Sequence, residues 1–142
     1  MMHILFAVPY VPSLIRVRPY NLIRHLSTAG HEVTVMTLWT TPQERRDVET
    51  LQTQCHQVVA FDLPRWKSLW NCARALPGRK PLQAVYCYCA AMQRAIEETT
   101  GTGVDHYDVA HVEHLRGAIY GMGLDLPKVW DAGDCIRYLF EQ

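Results

Sequence analysis

The chain has 142 residues, 49 % hydrophobic and 20 % charged, and its 14 basic and 14 acidic residues cancel to a formal net charge of zero. That length fits one domain, able to bury roughly 70 % of the surface its unfolded chain exposes, and neutrality leaves no global field of the kind that draws in nucleic acid. No stretch approaches the ~20 apolar residues of a membrane-spanning helix, and the apolar start, interrupted by Pro9 and Pro12 and lacking a basic leader, reads as a strand and not a signal peptide.

His3-Ile4-Leu5-Phe6-Ala7-Val8 is a short apolar run stopped by Pro9, the pattern of a strand buried on both faces. A helix begins near Val17 or Arg18, with Pro19 in its first turn, where a missing N–H costs nothing. Tyr20, Ile23, Leu26 and Leu22 recur at helical spacing as its buried face, and Gly30 stops it. His31 to Leu38 is the second strand. Strand, helix and strand this close together predict a parallel, right-handed βαβ unit.

Thr40 to Gln54 is polar, a solvated loop or short helix, and Gln57 to Asp62 is a third strand ended by Pro64. From Leu63 to Ile96 there is no Asp or Glu, but Arg65, Lys67, Arg74, Arg79, Lys80 and Arg94 alternate with Trp66, Trp70, Tyr86 and Tyr88. Pro77-Gly78 divides this stretch into two predicted helices, Trp66–Leu76 and Pro81–Thr100, the second with a small-residue face of Ala84, Cys87, Ala91 and Ala95. It is either a crossover pair with a solvated basic face or a basic, aromatic surface for an anionic acceptor or a membrane interface. Tyr107 to Val112 is the fourth strand, Arg116 to Met122 a helix, Lys128 to Asp131 the fifth strand, and Cys135 to Gln142 carries a helical pattern.

Five cysteines without framework spacing fit reduced thiols in a cytoplasmic protein. The seven histidines form no H-x-x-x-H pair, so no metal is expected.

The early strand, the Pro-containing loop, the helix ending in L-x-x-x-G-H-E-V-T, "YDVAHVEH" at Tyr107–His114 and "LPKVWDAGDC" at Leu126–Cys135 together resemble the N-terminal domain of GT-B glycosyltransferases, closest to the retaining group 1, or family 4, enzymes. The resemblance implies an α/β, Rossmann-like three-layer sandwich with a mostly parallel sheet of about five strands in the order 3-2-1-4-5. It implies one domain over residues 1–142, incomplete at its C-terminal end, with the nucleotide-sugar-binding domain absent. It further implies the acceptor side of a cytoplasmic hexosyltransferase of cell-envelope polysaccharide synthesis, one that moves sugar from a nucleotide-sugar to a hydroxyl acceptor without a metal and is inactive as this fragment. Peripheral contact with an anionic membrane through Leu63–Ile96, and no nucleic acid, complete the implied partners. The alternative is a non-catalytic Rossmann-like binding module. A different nucleotide-dependent enzyme with a similar first unit is a third reading, against which the missing Gly-x-Gly-x-x-Gly argues where dinucleotides are concerned.

In a doubly wound sheet, ligands bind at the carboxyl ends of the strands. The loop after the first strand, with Ser13, Arg16 and Arg18, and the end of the fourth, with Glu113 and His114, therefore face one cleft if strands one and four are neighbours. The loop lacks the family's glycine. Arg16 and Arg18 either hold a phosphate or acceptor beside the helix N-terminus or pair with local carboxylates. Glu113 takes the place of the family's active-site histidine, so Glu113 and His114 are the candidate catalytic pair. Against that, Glu113 caps the next helix or pairs with Arg116. His111, inside the strand, reads as structural. Asp131 and Asp134 flank Ala132-Gly133 at the end of the fifth strand; Asp134 caps a following helix or binds substrate, and Asp131 is the weaker candidate of the two.

Overall fold

The structure, a computed structural model, describes residues 1–101 and 106–132. The described residues form one five-stranded, all-parallel sheet in the order β3-β2-β1-β4-β5 with six helices. The strands are β1 (His3–Val8), β2 (Glu32–Trp39), β3 (Gln57–Asp62), β4 (Val109–Glu113) and β5 (Lys128–Asp131), and the helices α1 (Val17–Thr28), α2 (Pro42–Gln52), α3 (Arg65–Ala75), α4 (Leu82–Tyr86), α5 (Ala90–Gly101) and α6 (His114–Gly121). The expected fold class and strand order are both present. Cys135–Gln142 and Asp134 lie outside the described residues.

The central strand sorts its side chains by alternation. Ile4, Phe6 and Val8 pack with Val33, Val35, Tyr20, Ile23 and Leu51 on the side of α1 and α2. Leu5 and Ala7 pack with Met36, Met92, Ile96, Ala110 and Tyr120 on the side of α5 and α6. The helices thus lie on both faces, as right-handed crossovers require when the chain winds outward from β1 in both directions. In α1, Tyr20 and Ile23 are buried and Leu26 partly so, while Leu22 turns outward. Gly30 sits at φ 89°, the conformation glycine takes without strain.

Three helices differ from their expected form. Thr40–Gln54 contains a full helix, α2, because Thr41 and Glu44 close a capping box and Pro42 occupies its first turn. The helix expected over Pro81–Thr100 is two, α4 and α5, broken at Cys87–Cys89. The phenol of the fully buried Tyr120, on α6, donates to the Cys87 carbonyl and accepts from the Cys89 amide at 2.9 Å. Met92 and Ile96, and not Ala91, face the core as a result. Helix α6 starts at His114, two residues earlier than expected, and rides close on the sheet. A Cβ at Gly121 would lie 2.7 Å from Val112 Cγ2, and one at Gly117 3.3 Å from the Ala7 carbonyl.

No helix among the described residues is long and apolar enough to cross a membrane. On α3, Trp66, Leu69 and Trp70 are exposed beside Arg65 and Lys67, and on β5 Val129 and Trp130 are about half exposed.

Tyr120→Phe is expected to lower unfolding free energy by about 1–3 kcal/mol, because it strips both backbone groups at the α4–α5 break of a buried partner. Urea unfolding of the two proteins measures this; equal midpoints would mean the break is held by something else.

Candidate functional site

The site is assembled where β1, β4 and β5 end. β1 pairs β4 in register, Phe6 beside His111, and β4 pairs β5, Glu113 beside Asp131. Alternation along β4 puts Ala110 and Val112 toward α6, so His111 and Glu113 point to the α1 side. His111 is 8 % exposed and stacks on Phe6 at 4.6 Å between ring centroids. Glu113, 5 % exposed, accepts from His111 Nε2 at 2.9 Å on Oε2, and from the Tyr10 hydroxyl at 3.4 Å on Oε1.

Two arginines from the start of α1 frame this chain of contacts. Arg18 reaches Asp131 at 2.9 Å, and Arg16 reaches Glu44 on α2 at 3.2 Å while lying over the Tyr10 ring at 4.7 Å. Arg16 is the N-cap of α1, whose first turn has no side-chain cap and no acidic residue. With no side-chain cap, and with Pro19 contributing no N–H, the Val17 and Arg18 N–H groups have no side-chain acceptor among the described residues, and the α1 N-terminus keeps positive potential over the carboxyl end of the sheet. The Arg18 side chain is 66 % and the Arg16 side chain 40 % exposed, so the two ion pairs are solvent-screened and add little stability.

The expected residues separate into three groups. Arg16, Arg18 and Glu113 come together on one side of the sheet, with Ser13 half-buried in the loop before them. His114 adopts φ 64° at the strand-to-helix turn, its carbonyl accepts from the Trp130 indole at 3.2 Å, and its Nδ1 is buried without a hydrogen-bond partner among the described residues. Asp134 is undescribed. Glu113 does stand at the N-cap position of α6, but its side chain makes no capping bond; its carboxylate is turned to His111 and Tyr10 instead.

Sequence reasoning missed two members, His111 and Tyr10, and ranked a third, Asp131, below Asp134. His111 is joined to Glu113 and is not a separate core histidine; the signal was the H-x-E spacing on a strand, which puts both on one face. Tyr10 and Asp131 belong to the cluster only because strand pairing brings them there. His111, Glu113 and Asp131 each offer a ligand atom, and these atoms lie within 4.8 Å of one another.

No family model matches the chain, and no curated protein matches it. Among solved structures it is similar to a chain described as a predicted subunit of tRNA methyltransferase from Methanocaldococcus jannaschii. That alignment has 11 % identity and a TM-score of 0.47, and covers 99 % of this chain and 75 % of the other. A likeness of this degree carries no argument about function. The comparisons do correct the reading drawn from the GT-B resemblance, because they bring no glycosyltransferase. The assignment as the acceptor-side domain of a family 4 hexosyltransferase is withdrawn. Its cell-envelope role, nucleotide-sugar donor, hydroxyl acceptor, membrane contact through Leu63–Ile96 and exclusion of nucleic acid go with it. The physical reason is that a βαβ unit with a glycine-stopped helix and an apolar second strand recurs among parallel sheets of this kind, so it specifies the fold and not the chemistry.

Burial first, then the negative charge of Glu113, push the Tyr10 phenol up to about 12, with Arg16 pulling the other way. In the unfolded chain the same phenol ionises near about 10. Tyr10 therefore contributes stability that is whole below about pH 10 and is lost as pH rises toward about 12, because there the unfolded state has given up a proton the folded state keeps. Tyr10→Phe is expected to cost less than about 1.5 kcal/mol at neutral pH and to make the alkaline decline shallower. Urea unfolding from about pH 8 to about pH 11 tests it; parallel declines in the two proteins would exclude the contribution.

Proposed function

We propose that this domain binds a small phosphate-bearing molecule at the carboxyl ends of β1, β4 and β5. What supports the reading is one convergence: the buried His111–Glu113–Tyr10 chain and the Arg18–Asp131 pair meet beneath the uncapped N-terminus of α1. Helix N-termini at this edge of a parallel sheet favour anions, through free N–H groups and the helix dipole. Arg16 and Arg18 offer charge-assisted donors for the phosphate. Glu113 and Asp131 offer acceptors for hydroxyl or amino groups on the rest of the molecule. The loop carries no glycine, so the phosphate is held by arginine side chains and helix N–H groups and not by a glycine-rich backbone cradle. The free thiols Cys55, Cys72, Cys87 and Cys89 suit a reducing compartment, and the cytoplasm is the proposed location.

Thermal-shift and calorimetric titrations of the chain with inorganic phosphate, pyrophosphate and AMP, all in EDTA, test this. Saturable stabilisation by at least one of them is expected. Arg18→Ala is expected to weaken it about tenfold or more, the worth of a charge-assisted hydrogen bond. No binding, or equal binding by Arg18→Ala, overturns the reading.

A further inference from the structure

We infer that the phosphate site is also a divalent-metal site, with His111 Nε2, Glu113 and Asp131 as its ligands; the inference rests on the proposed ligand site and adds the cation to it. The His111–Glu113 pair has the spacing of two adjacent ligands of one ion. His111 Nε2 and Glu113 Oε2 are 2.9 Å apart, and two ligands held ~2.1 Å from one ion at right angles are separated by about 3 Å. Asp131 supplies the third ligand from the neighbouring strand, in register with Glu113. The three ligand atoms lie within 4.8 Å of one another, while two ligands ~2.1 Å from one ion stand at most ~4.2 Å apart, so the Asp131 side chain, 18 % exposed, would move inward on binding.

The two inner ligands are already oriented. Phe6 fixes the plane of the His111 ring by stacking, and the Tyr10 hydroxyl holds the second oxygen of Glu113. Outer contacts of this type are what set ligand direction in metal sites. Glu113, held by His111 and Tyr10, and Asp131, held by Arg18, bring two carboxylates together. An ion between the carboxylates would offset both and leave Arg18 able to turn to the phosphate. One nitrogen and two carboxylates suit Mn²⁺, Fe²⁺ or Zn²⁺ better than Ca²⁺, which takes oxygen alone. Three protein ligands leave open positions for a phosphate oxygen. His111 binds through the nitrogen that now donates to Glu113, so the cation takes the place of that proton.

Mn²⁺ alone is the probe, because the four described free cysteines do not compete well for it. Metal-stripped chain is titrated with Mn²⁺ and followed by calorimetry and by electron paramagnetic resonance. One Mn²⁺ per chain is expected, with nitrogen modulation of the spin echo from His111. Asp131→Asn, on the edge strand, is expected to keep the fold by circular dichroism and to lose at least about tenfold in affinity; Glu113→Gln is expected to lose as much. Absence of one-to-one Mn²⁺ binding overturns the inference, as does equal affinity in Asp131→Asn or an echo without nitrogen modulation. The phosphate titrations in EDTA are independent of the metal. Arg18-dependent phosphate binding in a chain that takes up no Mn²⁺ would therefore remove the metal site and leave the ligand site standing.

Discussion

The parallel pairing of β1 on both of its edges is the constraint from which the site follows. Ile4 to Val8 are almost wholly shut off from solvent, and a strand so placed must give every backbone group to its neighbours. β2 takes one edge and β4 the other. Because all five strands run in the same direction, their carboxyl ends form one rim, and the loops leaving them meet above it. Pro9 ends β1 at that rim, and the chain turns through Tyr10 to reach α1. The same direction of winding sends β4 out through Glu113 and His114. Residues about a hundred positions apart in sequence come to hydrogen-bond distance without any local signal.

Burial gives the rim its chemical character. A carboxylate at 5 % exposure must be satisfied or it destabilises the fold. Glu113 is satisfied twice, by His111 and by Tyr10, and the raised Tyr10 pKa keeps the phenol a donor across the range in which proteins work. The polar chain is thus a built feature of a rim that is otherwise apolar beneath, with Phe6 and Val8 under it. The cluster is held in the low-dielectric layer between sheet and α1, where charges act on one another over short distances with little screening.

The opposite face solves a packing problem. Gly117 and Gly121 allow α6 to lie almost against β1 and β4, and Tyr120 then extends through the layer to bind the backbone between α4 and α5. One phenol thus decides where a long helical pattern breaks. Above it, an apolar groove lined by Ala84, Val85, Val112, Leu115, Ile119 and Trp130 opens beside β5. Its walls come from α4, α6 and two strands, so it exists only because those elements are docked.

The sequence by itself determined the strands, the parallel pairing of the first two and the first helix with its glycine stop. These follow from local facts: apolar runs of strand length, 3.6-residue spacing from Tyr20 to Leu26, and the one cheap conformation for Gly30. It also marked Arg16, Arg18 and Glu113, because residues just past strand ends meet at one rim in any doubly wound sheet. Tertiary structure alone decided the rest. That Glu113 turns inward to His111 instead of capping α6, that Asp131 and Tyr10 join it, and that the stretch from Pro81 to Thr100 breaks at Cys87–Cys89 all depend on contacts between elements distant in the chain. Periodicity reports which face of an element is buried. It carries no information about which partner waits there, and at this rim the partner sets the chemistry.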